Sequence, residues 1–166
     1  TALLLAQMQG EGEVRLDQPV AELLPPDVTV PSRGRRQITL TDLATHTSAL
    51  PGLPTNFAPA DPDNPYADYT VEQLHDFLAG YAPPYDIGRK HFYSNLGGGL
   101  LGYALARRAG SDYEAAVRAR ICGPMGLVDT VVTLNPALKA RMAPGHKLAQ
   151  EPSKNWDLPT LAGAGA

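Results

Sequence analysis

A helical segment that contains four glycines is the sequence feature that most constrains the fold. Glycine costs a helix interior about 1 kcal/mol relative to alanine, yet the leucines after Asn95 recur at helical spacing. Because glycine lets a neighbouring backbone approach closely, such a helix is expected to pack tightly against a second element. The alternative, a phosphate-binding loop, needs a preceding strand and a Gly-x-Gly-x-x-Gly turn, and we expect neither here. The glycines are Gly97, Gly98, Gly99 and Gly102.

Capping signals predict most of the other helices. Thr39, Thr70 and Ser111 are each followed three residues later by Asp, Gln or Glu, which is the pattern of a capping box. Asn135 precedes a proline suited to a first helical turn. The sequence therefore predicts a mainly α fold, a single helical domain over residues 1–166 with a few short strands and long loops. The predicted helices are 1–9, 39–47, 70–79, one from 95 onward, 111–121 and 135–142; a short helical segment is predicted at 17–24, short strands at 28–30, 37–39 and 131–132, a turn at 32–36, and a long loop at 53–69.

Composition excludes several classes of function. The chain has 166 residues, 43% of them hydrophobic, which is enough for one domain with a core. The net charge of −3 and the absence of a Lys/Arg run argue against a nucleic-acid partner. Cys122 is the single cysteine, so no internal disulfide or cysteine-based zinc site is expected. The four histidines are widely separated, so we expect no metal site. We expect no cofactor either. The apolar run 1–8 is too short to span a membrane.

The strongest candidate for chemistry is Tyr93-Ser94-Asn95, at a predicted loop-to-helix boundary near Arg89 and Lys90. A tyrosine phenol can move a proton when nearby positive charge favours its ionisation, and an asparagine amide can hydrogen-bond a substrate carbonyl. A purely structural interpretation also remains open: Asn95 caps the helix, and Tyr93 is a half-buried ring. None of the five serines is followed three residues later by lysine, and the chain has no Gly-x-Ser-x-Gly elbow.

Three segments, in this order along the chain, resemble the serine β-lactamase-like family. That family includes class C β-lactamases, D-Ala-D-Ala peptidases of the AmpH type and related esterases. One departure is Ala49, where the family more usually has glycine; alanine tolerates positive φ poorly, so this turn is expected to be slightly perturbed. The segments are residues 38–51 (ITLTDLATHTSALP), 92–102 (FYSNLGGGLLG) and 124–130 (PMGLVDT).

The resemblance implies a reaction and assigns residues to it. The family transfers acyl groups through a serine ester, with the nucleophile in a Ser-x-x-Lys motif at the start of a helix. Its second motif, Tyr-x-Asn, matches Tyr93-Ser94-Asn95, which implies proton transfer by Tyr93 and a substrate contact by Asn95. Its third motif, Lys/His-Thr-Gly on an edge strand, binds the substrate carboxylate. His46 and the two residues after it do not match that motif, and the resemblance gives them a structural role at a helix end.

Only the second motif is present, so the resemblance implies the helical domain of the β-lactamase and penicillin-binding-protein transpeptidase-like fold with most of the antiparallel sheet missing. We expect both ends to be cut and the chain to be inactive, or nearly so, as a β-lactam, D-Ala-D-Ala peptide or ester hydrolase. Two alternatives stay open: a hydrolase that uses Ser94 or Ser48 as nucleophile, and a non-catalytic module that binds β-lactam or peptidoglycan.

Two further expectations concern partners and location. Without the sheet, apolar surface on the first helix and on the glycine-rich helix should be bare, which predicts a homo-oligomer or pairing with a complementary chain. The resemblance implies a periplasmic or secreted protein, although no export signal is visible.

Overall fold

A computed structural model describes residues 1–148 and 150–165. Helices make up most of the regular structure in the described residues, and the strands form two small antiparallel hairpins. The C-terminal run of small residues is described up to Gly165, and Ala166 lies outside the described residues. In chain order the elements are α1 (Ala2–Gly10), a 3₁₀ turn (Val20–Leu23), β1 (Ser32–Arg33), β2 (Arg36–Gln37), α2 (Leu40–Ala44), α3 (Val71–Gly80), α4 (Asn95–Arg108), α5 (Tyr113–Val117) continued by a π turn (Arg118–Cys122), α6 (Pro136–Arg141), β3 (Gly145–His146), β4 (Pro152–Ser153) and a second 3₁₀ turn (Ala162–Ala164).

Side-chain caps begin five of the helices. The capping boxes predicted at Thr39 and Thr70 are both formed, and Asn135 caps α6 as predicted. Two caps differ from the prediction by one residue. Ser94, not Asn95, caps α4 by accepting the Gly97 N–H at 2.8 Å, and Asp112, not Ser111, caps α5. Serine and aspartate are both strong caps. The sequence therefore does not decide which of two adjacent candidates caps the helix, and the tertiary position of the helix does.

The strands are shorter than the sequence predicts, and they lie mostly elsewhere. The predicted turn 32–36 supplies β1 and Arg36 of β2, whereas the predicted strand 37–39 supplies only Gln37. The two strands pair around Gly34 at φ +59°. Residues 28–30 lie outside the described strands, and so do 131–132. The β3–β4 hairpin, in which Gly145 pairs with Ser153, was not predicted. Its two-residue strands carry too short a pattern for alternation to indicate them.

The glycine-rich helix packs against the C-terminal 3₁₀ turn, as its composition predicts. A Cβ added at Gly102 would lie 2.6 Å from Gly163 Cα, and one added at Gly99 would lie 2.6 Å from Leu161 Cδ2. The 3₁₀ turn is equally restricted by α4, because a Cβ added at Gly163 would lie 2.6 Å from the Gly98 carbonyl oxygen. Two backbones therefore touch along this contact, and only glycine leaves them the room.

The same glycines match the spacing Gly-x-Gly-x-x-Gly at Gly97, Gly99 and Gly102. That spacing binds a dinucleotide when it forms the turn between a strand and a helix. Here all three glycines lie inside α4, and the backbone that approaches them belongs to the chain itself. The structure therefore gives the glycines a packing role.

Helix α4 lies at the centre of the fold, in contact with α2, α5 and both 3₁₀ turns. The expectation of bare apolar surface on α4 is wrong: Leu96, Leu100, Leu101 and Leu105 are all buried. On α1, Leu4 and Leu5 are buried, whereas Leu3 is 58% exposed. Within the described residues, every helix is too short or too polar to cross a membrane.

The turn after α2 has the strain that its sequence suggests. Ala49 has a φ of +60°, in the left-handed region that glycine adopts more easily. Its carbonyl accepts a hydrogen bond from the Tyr81 hydroxyl at 2.9 Å, and its side chain is buried. Packing therefore holds an alanine in a conformation that favours glycine.

Candidate active site

Tyr93 and Asn95 both line an open cleft of about 610 Å³. Tyr93 is the second-last residue before α4, and Asn95 is the first residue of that helix. The intervening Ser94 has an extended backbone, with φ −138° and ψ 109°. Side chains one residue apart in extended backbone point to different faces, and those two residues apart point to the same face. The Tyr-x-Asn spacing therefore places the phenol and the amide on the same cleft.

Asn95 is held by a tyrosine that the sequence did not single out. Its Nδ2 donates a hydrogen bond to the Tyr66 hydroxyl oxygen at 3.1 Å. Burial raises the pKa of Tyr66, and the hydrogen bond from Asn95 opposes that rise. Tyr66 is therefore a neutral phenol at neutral pH, and it fixes the orientation of the amide. Its ring also packs on Phe57, with centroids 5.1 Å apart.

Ser94 serves as a cap in this geometry. Its Oγ donates to the Pro51 carbonyl at 2.6 Å and accepts the Gly97 N–H at 2.8 Å, and the residue is 1% exposed. The nearby imidazole of His46 accepts the Ser94 backbone N–H at 3.3 Å instead of the hydroxyl proton. This arrangement lacks the hydroxyl-to-base hydrogen bond that activates a serine nucleophile.

Ser48, the second alternative nucleophile, is also 1% exposed. Its Oγ accepts the Leu50 N–H at 3.4 Å, and an added Cβ at Gly97 would lie 3.7 Å from that oxygen. Ser48 thus lies beneath the start of α4. The geometry favours a structural role for both serines.

Residues far away in sequence also line the cleft. Trp156, Asn155 and Lys154 follow β4 and line the cleft. The Trp156 ring packs against Tyr66, with centroids 5.6 Å apart. Sequence reasoning missed these residues, which lie far along the chain from the predicted long loop 53–69. The composition of the loop gave no sign of which segment it would contact.

Ion pairs and amide hydrogen bonds tie the long loop to the β3–β4 hairpin. Lys154 pairs with Asp61 at 3.0 Å, and Lys147 pairs with Asp63 at 2.9 Å. The amide of Asn64 makes two hydrogen bonds to Asp157, both at 2.8 Å. We call these residues the polar clasp. Two clasp residues, Lys154 and Asp157, flank Trp156 in the sequence, and the charged groups of the clasp are about half exposed.

The clasp is expected to weaken in salt, because exposed ion pairs contribute only ~0–1 kcal/mol each and are screened. Trp156 is the single tryptophan, so the fluorescence reports on the surroundings of this one side chain. K154D should increase acrylamide quenching of Trp156, by at most about twofold because the residue is already 50% exposed. The paired exchange D61K/K154D should restore the original quenching, and about 1 M NaCl should act like K154D.

R33D is the matched control, since it breaks an ion pair with Asp86 outside the clasp. Its quenching should equal that of the unmodified protein. Equal quenching in K154D as well would show that the ion pair does not hold Trp156.

Comparison with known proteins places this architecture in a family. The family model described as Beta-lactamase matches residues 1–166. The chain belongs to the beta-lactamase family. It is 35% identical over 136 residues to the D-alanyl-D-alanine-carboxypeptidase/endopeptidase AmpH of Escherichia coli (strain K12), a match that covers 82% of this chain and 35% of that protein. It is 29% identical over 168 residues to penicillin-binding protein 4 of Amycolatopsis lactamdurans, covering 98% of this chain and 42% of that protein.

Solved structures of beta-lactamase family members have the same fold. A beta-lactamase/D-alanine carboxypeptidase from Yersinia pestis, complexed with citrate, superposes with a TM-score of 0.83 at 28% identity, over 96% of this chain and 44% of that one. A class C beta lactamase from Rhodobacter sphaeroides superposes with a TM-score of 0.68 at 31% identity, over 91% of this chain and 39% of that one. The chain therefore spans less than half the length of these relatives. The family resemblance and the beta-lactamase fold are confirmed.

Proposed function

We propose that this chain supplies the Tyr93 and Asn95 side of an acyl-transfer site in a beta-lactamase family hydrolase. The observation that carries the proposal is the placement of both residues on one 610 Å³ cleft. The ligands that suit it contain a reactive carbonyl: a β-lactam, a D-Ala-D-Ala peptide or an ester. Family membership and the names of the relatives support this substrate class, and they also support a periplasmic or secreted location.

The two residues have different roles in this proposal. The Asn95 amide, held by Tyr66, is oriented to hydrogen-bond a carbonyl or amide group of the ligand. The Tyr93 hydroxyl, on a side chain that is 60% exposed, moves a proton between the attacking group and the leaving group. Both roles need geometry that is fixed before the ligand arrives, and the hydrogen bond between Asn95 and Tyr66 supports that for the amide.

We propose that the present chain binds such ligands without turning them over. An acyl-enzyme requires a nucleophile beside a base. No serine in the sequence is followed three residues later by lysine, and the hydroxyls of Ser94 and Ser48 are buried in hydrogen bonds to the backbone. The geometry thus favours a binding module over a hydrolase that uses Ser94 or Ser48.

A ligand titration followed by NMR tests the proposed site. Adding benzylpenicillin or a D-Ala-D-Ala peptide should shift the Asn95 side-chain amide and the Trp156 indole signals in a saturable way. Removal of one hydrogen bond usually costs about 1 kcal/mol, so Y93F should weaken binding by about fivefold.

Y103F is the control for this titration, because Tyr103 lies elsewhere on α4 and its hydroxyl contacts His75. Binding by Y103F should be unchanged. Shifts confined to residues outside the cleft, or equal affinity in Y93F and the unmodified protein, would contradict the proposal.

A further inference from the structure

The ring of His46 packs directly on the ring of Tyr93. The two centroids are 4.6 Å apart, and the ring planes meet at 39°. Tyr93 is 60% exposed, so much of its ring is open to solvent and the His46 contact limits how the ring can turn. Aromatic pairs of this kind favour one arrangement by roughly two- to tenfold over an unpaired ring.

His46 also holds the backbone on both sides of Tyr93. Its carbonyl accepts the Phe92 N–H at 2.8 Å, and its Nδ1 accepts the Ser94 N–H at 3.3 Å. Because Nδ1 accepts a hydrogen bond, the neutral ring carries its proton on Nε2. One residue from the turn after α2 therefore contacts Tyr93 and both of its neighbours in the chain.

The backbone of His46 is itself set for this contact. Its φ of +57° lies in the left-handed region, where histidine, asparagine and aspartate occur more often than other non-glycine residues. The ring edge of His91 meets His46 in a T-shaped contact, with centroids 5.8 Å apart. The imidazole is therefore held between His91 and Tyr93.

We propose that His46 is a positioning residue for Tyr93: it holds the phenol in the orientation from which the hydroxyl acts on a ligand in the cleft. This inference rests on the proposed function for the role of Tyr93. The turn by itself does not require all three of the contacts that His46 makes with Phe92, Tyr93 and Ser94. A residue that tolerates positive φ and accepts the Ser94 N–H would satisfy the turn, whereas the closer of the two ring contacts of His46 is the one with Tyr93.

Two variants distinguish the effect of the ring contact from the effect of the turn conformation. H46N keeps the tolerance of positive φ, and its Oδ1 takes the place of Nδ1 as acceptor, but it has no ring. H46F keeps a ring and loses the acceptor. The NMR spectrum of protein with ¹³C-labelled tyrosine rings reports on Tyr93, whose signal is assigned by its loss in Y93F.

The expected result is that H46N keeps the amide spectrum of the folded protein while the Tyr93 ring signal moves to the position of a solvent-exposed tyrosine. The preferred side-chain rotamer of Tyr93 should then lose its two- to tenfold excess over the other rotamers. H46F should restore the stacked position of the signal; if H46F does not fold, H46N alone decides. A Tyr93 signal and rotamer in H46N equal to those of the unmodified protein would overturn the proposal.

H75N is the matched control, because His75 and Tyr103 form a separate histidine–tyrosine pair with centroids 5.7 Å apart. H75N should move the Tyr103 signal and leave Tyr93 unchanged; a shift of Tyr93 in H75N equal to that in H46N would also overturn the proposal. The measurement needs no ligand and no turnover. It therefore tests the positioning of Tyr93 separately from the proposed ligand binding.

Discussion

Alanine in place of Gly102 is expected to lower the free energy of unfolding by about 2 kcal/mol or more. The new Cβ would lie 2.6 Å from Gly163 Cα and 2.9 Å from Tyr113 Cε2. Overpacking of this kind costs about 1–3 kcal/mol when side chains can move, and occasionally more. Here the nearest atom belongs to a backbone, so α4 and the C-terminal 3₁₀ turn must separate. The gain of about 1 kcal/mol in helix propensity offsets only part of this cost.

Urea unfolding followed by circular dichroism measures the change. G80A is the matched control, because Gly80 ends α3 and a Cβ there would have nothing within 4 Å. Its stability should be unchanged or raised by up to about 1 kcal/mol. If G102A were as stable as G80A, the close contact between α4 and the 3₁₀ turn would be wrong.

The second large effect concerns catalysis. Purified protein should hydrolyse nitrocefin and p-nitrophenyl esters at the background rate. Removing the nucleophile of a serine hydrolase lowers kcat by about a million-fold, because the catalytic groups act as a unit. Tyr93 and Asn95 alone give no acyl-enzyme, so their placement on the cleft is not sufficient for turnover. A complete class C β-lactamase assayed in parallel supplies the reference rate.

Y93F and S94A distinguish this expectation from the alternatives. Both variants should show the same background rate as the unmodified protein. A robust rate that Y93F abolishes would show that the chain is itself an enzyme, and loss of that rate in S94A would identify Ser94 as its nucleophile.

Local signals in the sequence predicted the helices well. The boxes at Thr39 and Thr70 involve residues three positions apart, so the sequence contains both partners of each hydrogen bond. The glycines of α4 predicted close packing, because their cost in a helix needs a compensating contact. The identity of that contact, Gly163, lies about sixty residues away, and the pattern gave no means to find it.

The cleft was predictable only in part. Tyr93 and Asn95 were found because the Tyr-x-Asn motif is contiguous. Tyr66 and Trp156 were missed because they reach the cleft from segments far apart in the sequence, whose hydrogen bonds join residues 93 positions apart. Ser94 was wrongly passed over as the cap, since a serine and an asparagine side by side are equally good caps. Tertiary contacts, which set the helix start, decided between them.

The central claim is that this chain supplies Tyr93 for proton transfer and Asn95 for orienting the ligand, but no hydroxyl that attacks the ligand carbonyl. Intact-protein mass spectrometry after incubation with benzylpenicillin, and separately with a fluorophosphonate, tests it most directly. We predict the unmodified mass in both cases, with a complete class C β-lactamase acquiring the adduct under the same conditions. A stoichiometric adduct that peptide mapping places on Ser94, Ser48 or any other side chain would contradict the claim.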